Sequence, residues 1–239
     1  MIAITLPDGS VKQLEEGVTP MDVALSISEG LARNVISAAY NGQTIESSTP
    51  LTHDGSLVLY TWRDEAGKKA FWHSSAHILA QALQESYPGI KLTIGPAIET
   101  GFYYDVDFGE LSFSEKDLAA VEDKMLEIAR GKHTFSLRST TKKEALDFYK
   151  NQANEYIVEL IENLEDGTIT FCDHDNFTDL CRGGHLPHTG YVKAVKLMSI
   201  AGAYWRGDEK NKQLTRIYGV SYPKQKELKQ YLALFCLLY

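Results

Sequence analysis

An α+β protein of two folded units is what this sequence predicts, and three observations carry that prediction. Short alternating apolar runs, punctuated by Asp-Gly and Asn-Gly pairs, surround one capped helix in residues 1–62. A polar stretch, Arg63-Asp-Glu-Ala-Gly-Lys-Lys69, then reads as a link. From Ala70 onward, capped helices and strands are interspersed through a second, larger unit. At 239 residues the chain is long enough for two such cores.

Each element has its own signal. Ile2-Ala-Ile-Thr-Leu6 alternates, Asp8-Gly9 turns and Val11–Leu14 returns, which predicts a hairpin. Thr19-Pro-Met-Asp22 opens a helix, with Thr19 as N-cap and Pro20 at the first helical position, that runs to about Glu29-Gly30. Val35–Tyr40 is a strand, Asn41-Gly42 a turn, and Ser56–Tyr60 a last strand after Asp54-Gly55. Two strands, a helix and more strands in this order predict a small ubiquitin-like β-grasp.

In the second unit a helix from Phe71 to Tyr87 shows an apolar stripe of Ile78, Leu79, Ala82 and Leu83, and Pro88-Gly89 ends it. Ile90–Ile98 is extended and broken at Gly95-Pro96, and Gly101–Phe108 alternates as a strand. Ser114-Glu-Lys-Asp117 and Thr141-Lys-Lys-Glu144 are capping boxes. The first opens a helix to Arg130, closed by Gly131, and the second a helix through Lys150. Strands follow at Thr134–Ser139, Thr168–Cys172, Val192–Ile200 and Gln213–Val220, and Lys224 to the end is a helix. Its last residues, Tyr231-Leu-Ala-Leu-Phe-Cys-Leu-Leu-Tyr239, are almost wholly apolar. Such a helix either packs home or is cut from a longer chain, and the cut is the preferred reading.

Composition excludes some classes. No run of about 18 apolar residues occurs, so no membrane span is expected. The N-terminus lacks the charged and apolar regions of a signal peptide. Three cysteines, Cys172, Cys181 and Cys236, form no disulfide framework, which points to a reducing cytoplasm. A net charge of −8 argues against nucleic-acid binding driven by overall charge. Residues 1–62 carry two bases against seven acids (Asp8, Glu15, Glu16, Asp22, Glu29, Glu46 and Asp54). A polyanion should therefore prefer the later region, with Lys193/Lys196 and Lys210/Lys212/Arg216.

The chemistry concentrates in two motifs, His73-Ser-Ser-Ala-His77 and Cys181-Arg-Gly-Gly-His185. The first lies in a predicted helix, so both rings share a face. The second brackets two glycines, which let a loop fold back. Either pair alone is weak, because a histidine pair on a helix is as often a polar face. Together they leave four readings open. All four residues can form a closed structural zinc site. Three can hold a zinc with bound water. His73 can act without metal as a base toward water or substrate. Cys181 can be a nucleophile if His or Arg182 lowers its thiol pKa. No Glu follows His73, so the metalloprotease pattern is absent. Asp179 can orient a histidine or hold an amino group, or it is a turn residue of Asn176-Phe-Thr-Asp179. One of Tyr103 and Tyr104 faces inward, and Gly95 allows close backbone approach. Ala203-Tyr-Trp-Arg-Gly-Asp208 can stack on a nucleotide or can be core.

These residues, with Leu6-Pro-Asp-Gly9, Thr19-Pro-Met-Asp-Val-Ala24, Gly101-Phe-Tyr-Tyr-Asp105, Lys196-Leu-Met198 and Arg216-Ile-Tyr-Gly219, resemble the N-terminal half of bacterial threonyl-tRNA synthetases. The resemblance covers nearly the whole chain. It implies a TGS β-grasp domain at 1–62, an editing domain of the threonyl/alanyl type at 63–223, and at 224–239 the start of a linker helix to an absent catalytic domain. It implies hydrolysis of serine wrongly esterified to threonine tRNA, at its acceptor end, in the cytoplasm. ATP, Mg and the threonine-selecting zinc belong to the absent domain. His73 becomes the leading proton-transfer residue. His77, Cys181 and His185 complete the cluster, and Gly95, Tyr104, Asp179 and Arg182 line the pocket. The four-residue cluster is also a candidate zinc site, but the reading prefers no required metal. The parent family dimerises through the absent domain, so this piece is expected to be monomeric. The alternative is a non-catalytic module that holds the tRNA acceptor arm. One departure matters: the family pattern reads Tyr-Lys where this chain has Tyr156-Ile157, and Arg182 is the substitute the sequence offers.

Overall fold

The computed structural model describes residues 1–238; Tyr239, the last residue of the expected C-terminal helix, lies outside the described residues. The chain divides into two compact units, Met1–Ser74 with Gly183–Pro187, and Ser75–Arg182 with the residues from His188 onward.

The first unit contains β1 (Ile2–Thr5), β2 (Val11–Leu14), α1 (Pro20–Ile27), α2 (Glu29–Ala32), β3 (Val35–Tyr40), β4 (Gln43–Ile45) and β5 (Gly55–Thr61). The strands form one sheet in the order β2-β1-β5-β3-β4, with β1 and β5 parallel and the other pairs antiparallel. Ile2, Ile4 and Leu57 from the sheet meet Val23 of α1 in a buried cluster with Ala38 and Leu51. This is the expected β-grasp. Thr19 caps α1 as expected: its side chain accepts from Asp22 N, and the Asp22 carboxylate accepts from Thr19 N at 2.9 Å. The short β4 has too few apolar residues to signal itself, and its sequence does not predict it.

A single helix, α3 (Glu65–Ser86), runs on from β5. It starts ahead of the expected Phe71, so most of the polar stretch that reads as a link is helical. The local chemistry explains the early start. Asp64 accepts from Thr61 N at 2.7 Å, and Glu65 complements the helix N-terminus. Gly67 lets this first turn close on the chain, since a Cβ there would stand 1.9 Å from Thr61 O.

The second unit continues with β6 (Lys91–Leu92), β7 (Ala97–Ile98), β8 (Gly101–Asp107), α4 (Leu118–Gly131), β9 (Ser136–Ser139), α5 (Lys142–Asn151), α6 (Glu155–Glu162), β10 (Thr170–His174), β11 (Phe177–Leu180), β12 (Ala194–Tyr204), β13 (Gln213–Tyr222) and α7 (Gln225–Leu238). One antiparallel sheet runs β12-β13-β8-β6, with β7 also pairing β8. A smaller one runs β11-β10-β9. α4 is tied to the larger sheet where Glu122 accepts from Leu197 N at 2.8 Å. α5 and α6 pack on the smaller sheet through Ala145, Tyr149, Ile157, Ile161, Ile169 and Phe171.

Two local expectations need correction, and one stretch that the sequence leaves unassigned is helical. The Ser114 capping box opens a 3-10 turn (Glu115–Asp117) ahead of α4, and Lys132 at φ 55° closes that helix in place of Gly131. Asp179 lies on β11, because the turn of the β10–β11 hairpin is made by Asp175 (φ 51°) and Asn176. The Tyr156 region is helical, capped by Asn154, whose side chain accepts from Ile157 N.

Candidate active site

α3 carries His73, Ser74 and His77 within one turn, which sets the two rings on one helical face. Below His77, within the second unit, β11 delivers Asp179 and the chain leaving β11 delivers Cys181. The Cys181 N–H donates to Thr170 O at 3.1 Å, so pairing with β10 continues past the strand end and holds the thiol in place.

Asp179 is the hub of this half. Its Oδ2 accepts from the Tyr104 hydroxyl at 2.8 Å and lies 3.1 Å from His77 Nδ1. Its Oδ1 accepts from the Tyr149 hydroxyl at 3.3 Å and from Leu180 N at 2.9 Å. Burial opposes charge on the His77 ring, yet Cys181 and Asp179 outweigh it and raise the ring pKa to about 10. Burial, then Asp179, pushes both Tyr104 and Tyr149 well above the usual phenol range, so both remain donors. Gly95 is part of the same packing: its missing side chain makes room for the Tyr104 ring, with a Cβ position only 2.1 Å from Tyr104 Cδ2.

In the first unit, His73 stacks on His185 with ring centroids 4.9 Å apart and planes 23° from parallel. His73 is half-buried, whereas His185 is fully buried. The loop to His185 passes through Gly183 (φ 96°) and Gly184 (φ 87°), a left-handed pair that other residues adopt only with strain. The buried Glu46 receives this loop. It accepts from Gly184 N and His185 N at 3.0 Å each and lies 2.9 Å from His185 Nδ1. Leu186 N then donates to Ser74 Oγ at 2.9 Å.

His73 and His185 of the first unit, and His77 and Cys181 of the second, each offer one atom that could bind a metal ion. Three imidazoles and a thiol are a donor set that zinc accepts. The same groups without metal offer one half-buried imidazole backed by buried hydrogen-bonding partners, an arrangement suited to proton transfer.

The remaining candidates lie elsewhere. Arg182 is exposed. Ile157 is buried in the apolar cluster of α5, α6 and the smaller sheet. Trp205 is core, edge-on to Tyr156 with centroids 5.1 Å apart, and its Nε1 donates to Glu159 at 2.8 Å. Arg206 pairs with Glu159, and Tyr204 is exposed. Glu46 and Tyr149 escape a reading of the sequence. Glu46 is one acid among seven in its region, separated from His185 by 139 positions. Tyr149 carries no local signal beyond its place in an amphipathic helix.

Comparison with known proteins gives the class first. Residues 2–61 match the TGS domain model, and residues 169–218 match the threonyl and alanyl tRNA synthetase second additional domain. Together they are similar to a TGS domain followed by the second additional domain of threonyl and alanyl tRNA synthetases. The threonine–tRNA ligase of Flavobacterium psychrophilum is 70% identical over 234 residues, 98% of this chain and 36% of the relative. Those of Flavobacterium johnsoniae and Cytophaga hutchinsonii are 68% and 57% identical over the same shares. The chain is similar to the N-terminal region of these threonine–tRNA ligases and spans about a third (36%) of their length.

Proposed function

We propose that this chain carries the proofreading site of its family and hydrolyses serine wrongly esterified to threonine tRNA. The observation that carries the reading is one half-buried ring, His73, stacked on a buried His185, while His77 is held by the Asp179–Tyr104 pair on the same helix face. In this reading His73 takes a proton from water as its oxygen attacks the ester carbonyl. The bond to the ribose oxygen then breaks, that oxygen receives a proton, and serine leaves. The need is physical: serine lacks one methyl of threonine, worth only about 1–3 kcal/mol of discrimination in a binding pocket, so a second site must remove the error.

The reading extends to organisation and partners. Residues 1–62 serve as the TGS domain, 63–223 as the editing domain and 224–239 as the start of a linker. The acceptor end of threonine tRNA is the partner, the setting is the cytoplasm, and the fragment is a monomer of a dimeric parent. Among the described residues no helix is long and apolar enough to cross a membrane. ATP and Mg act in the rest of the parent, and zinc is not required here. If bound, zinc would be held by His73, His77, Cys181 and His185 and would polarise water or the ester carbonyl.

One observation favours a second reading, a module that binds the acceptor arm without cleaving it. An apolar, buried Ile157 stands where the family pattern has Lys. One assay separates the two: release of serine and of threonine from charged threonine tRNA, with and without chelator. The expected result is selective serine release that survives chelation and falls more than tenfold in His73→Ala. Binding of tRNA with no hydrolysis supports the module instead. Loss of activity on chelation, restored by zinc, overturns the metal-free mechanism.

A further inference from the structure

We infer that Glu46, on the β-grasp chain just after β4, is a positioning residue for the hydrolytic site, fixing both the loop and the ring tautomer of His185. The inference rests on the proofreading reading for its effect on rate, but not for its effect on His185.

Three donors converge on one buried carboxylate. Gly184 N–H donates to Oε1 and His185 N–H to Oε2, each at 3.0 Å. His185 Nδ1 lies 2.9 Å from the same Oε1. The two main-chain donors have fixed direction. They face one side because Gly183 and Gly184 both hold positive φ, an arrangement that turns successive N–H groups into a concave anion site. An oxygen that already accepts from Gly184 takes the Nδ1 proton as well, so neutral His185 carries its hydrogen on Nδ1 and keeps the electron pair on Nε2. Carboxylates behind catalytic or metal-binding histidines act in this way. Ser74 Oγ fixes the next amide, Leu186 N, at 2.9 Å, so three consecutive N–H groups of the loop are anchored. The β-grasp chain thereby holds the ring on which His73 stacks.

The test is ring-nitrogen NMR on the whole chain with 15N-labelled histidine, beside seryl-tRNA hydrolysis, for the wild type and Glu46→Gln. Gln keeps one accepting oxygen but presents an amide donor on the other side. The expected wild-type signal is Nδ1–H for His185. In Glu46→Gln that tautomer is lost, and the turnover number falls tenfold or more with KM within threefold. The inference is overturned if wild-type His185 carries its proton on Nε2. It is also overturned if Glu46→Gln leaves both tautomer and turnover within twofold of wild type. If Glu46→Gln does not fold, the wild-type spectrum alone decides. If wild-type protein releases no serine, the proofreading reading fails, and the tautomer measurement still judges Glu46.

Discussion

Replacing Gly95 by alanine tests whether the Tyr104–Asp179 pair is held by packing. The new Cβ would stand 2.1 Å from Tyr104 Cδ2 and 2.5 Å from Cε2, where ordinary contact begins at 3.4 Å. The difference obliges the ring to retreat by about 1.3 Å (3.4 Å less 2.1 Å). Tyr104 is 1% exposed, so it retreats into packed neighbours, at a cost of about 1–3 kcal/mol for overpacking. A comparable shift of the hydroxyl stretches its 2.8 Å bond to Asp179 beyond hydrogen-bonding range, worth about 1.5–3 kcal/mol for a charged acceptor. Gly95→Ala is therefore expected to melt at least about 2 °C lower and to hydrolyse seryl-tRNA about ten- to a hundredfold more slowly. Thermal melting and single-turnover deacylation measure the two effects. Tyr104→Phe removes the bond without the push, so it should share the rate loss and spare more of the melting temperature. An alanine variant with wild-type melting and wild-type rate refutes the reasoning.

Two further outcomes are expected. Ile157→Lys puts an ammonium into the apolar cluster of Tyr149, Ile161, Ile169 and Phe171, and should destabilise the protein by about 3 kcal/mol or more in urea unfolding without raising hydrolysis. A stable variant with faster hydrolysis would show that this position faces the site. The His188 pKa is lowered by burial and by Lys193 and Lys132, and its neutral Nδ1 accepts from Gly190 N at 3.1 Å. A folded-state pKa below the ordinary 6.5 gives stability that is fully present above pH 6.5 and lost as pH falls through the lower folded value. His188→Gln should therefore lose less stability between pH 7 and about pH 5 than the wild type does. Parallel losses in the two proteins would remove His188 as the source.

What the sequence reveals of this molecule is what lies close along the chain. The Thr19, Ser114 and Thr141 capping boxes all form, because each needs only residues three positions apart. The β-grasp is readable because alternation and Asp-Gly or Asn-Gly turns are local. β11 is hidden by four residues, Phe177–Leu180, whose polar flanks imitate a turn. α6 is hidden in the same way, since its start depends on Asn154 and on Ala153 at φ 51°, for which no side-chain type gives notice. In the site, the motifs are local and their supports are not. Tyr149 approaches Asp179 from 30 positions away and Glu46 meets His185 across 139. Ile157 looks in sequence like a lost ammonium, yet its burial is decided by the tertiary packing of α5, α6 and β10.

The contacts of Asp179 all run in one direction. Tyr104, Tyr149 and Leu180 each aim a hydrogen at the carboxylate. The Tyr149 oxygen also accepts from Leu180 N at 2.8 Å. A main-chain amide cannot turn over, so the Tyr149 hydroxyl has no second orientation to adopt. A relay that passes protons by flipping each member needs links that can reverse, and this link cannot. The buried half of the site is thus a standing dipole and not a wire.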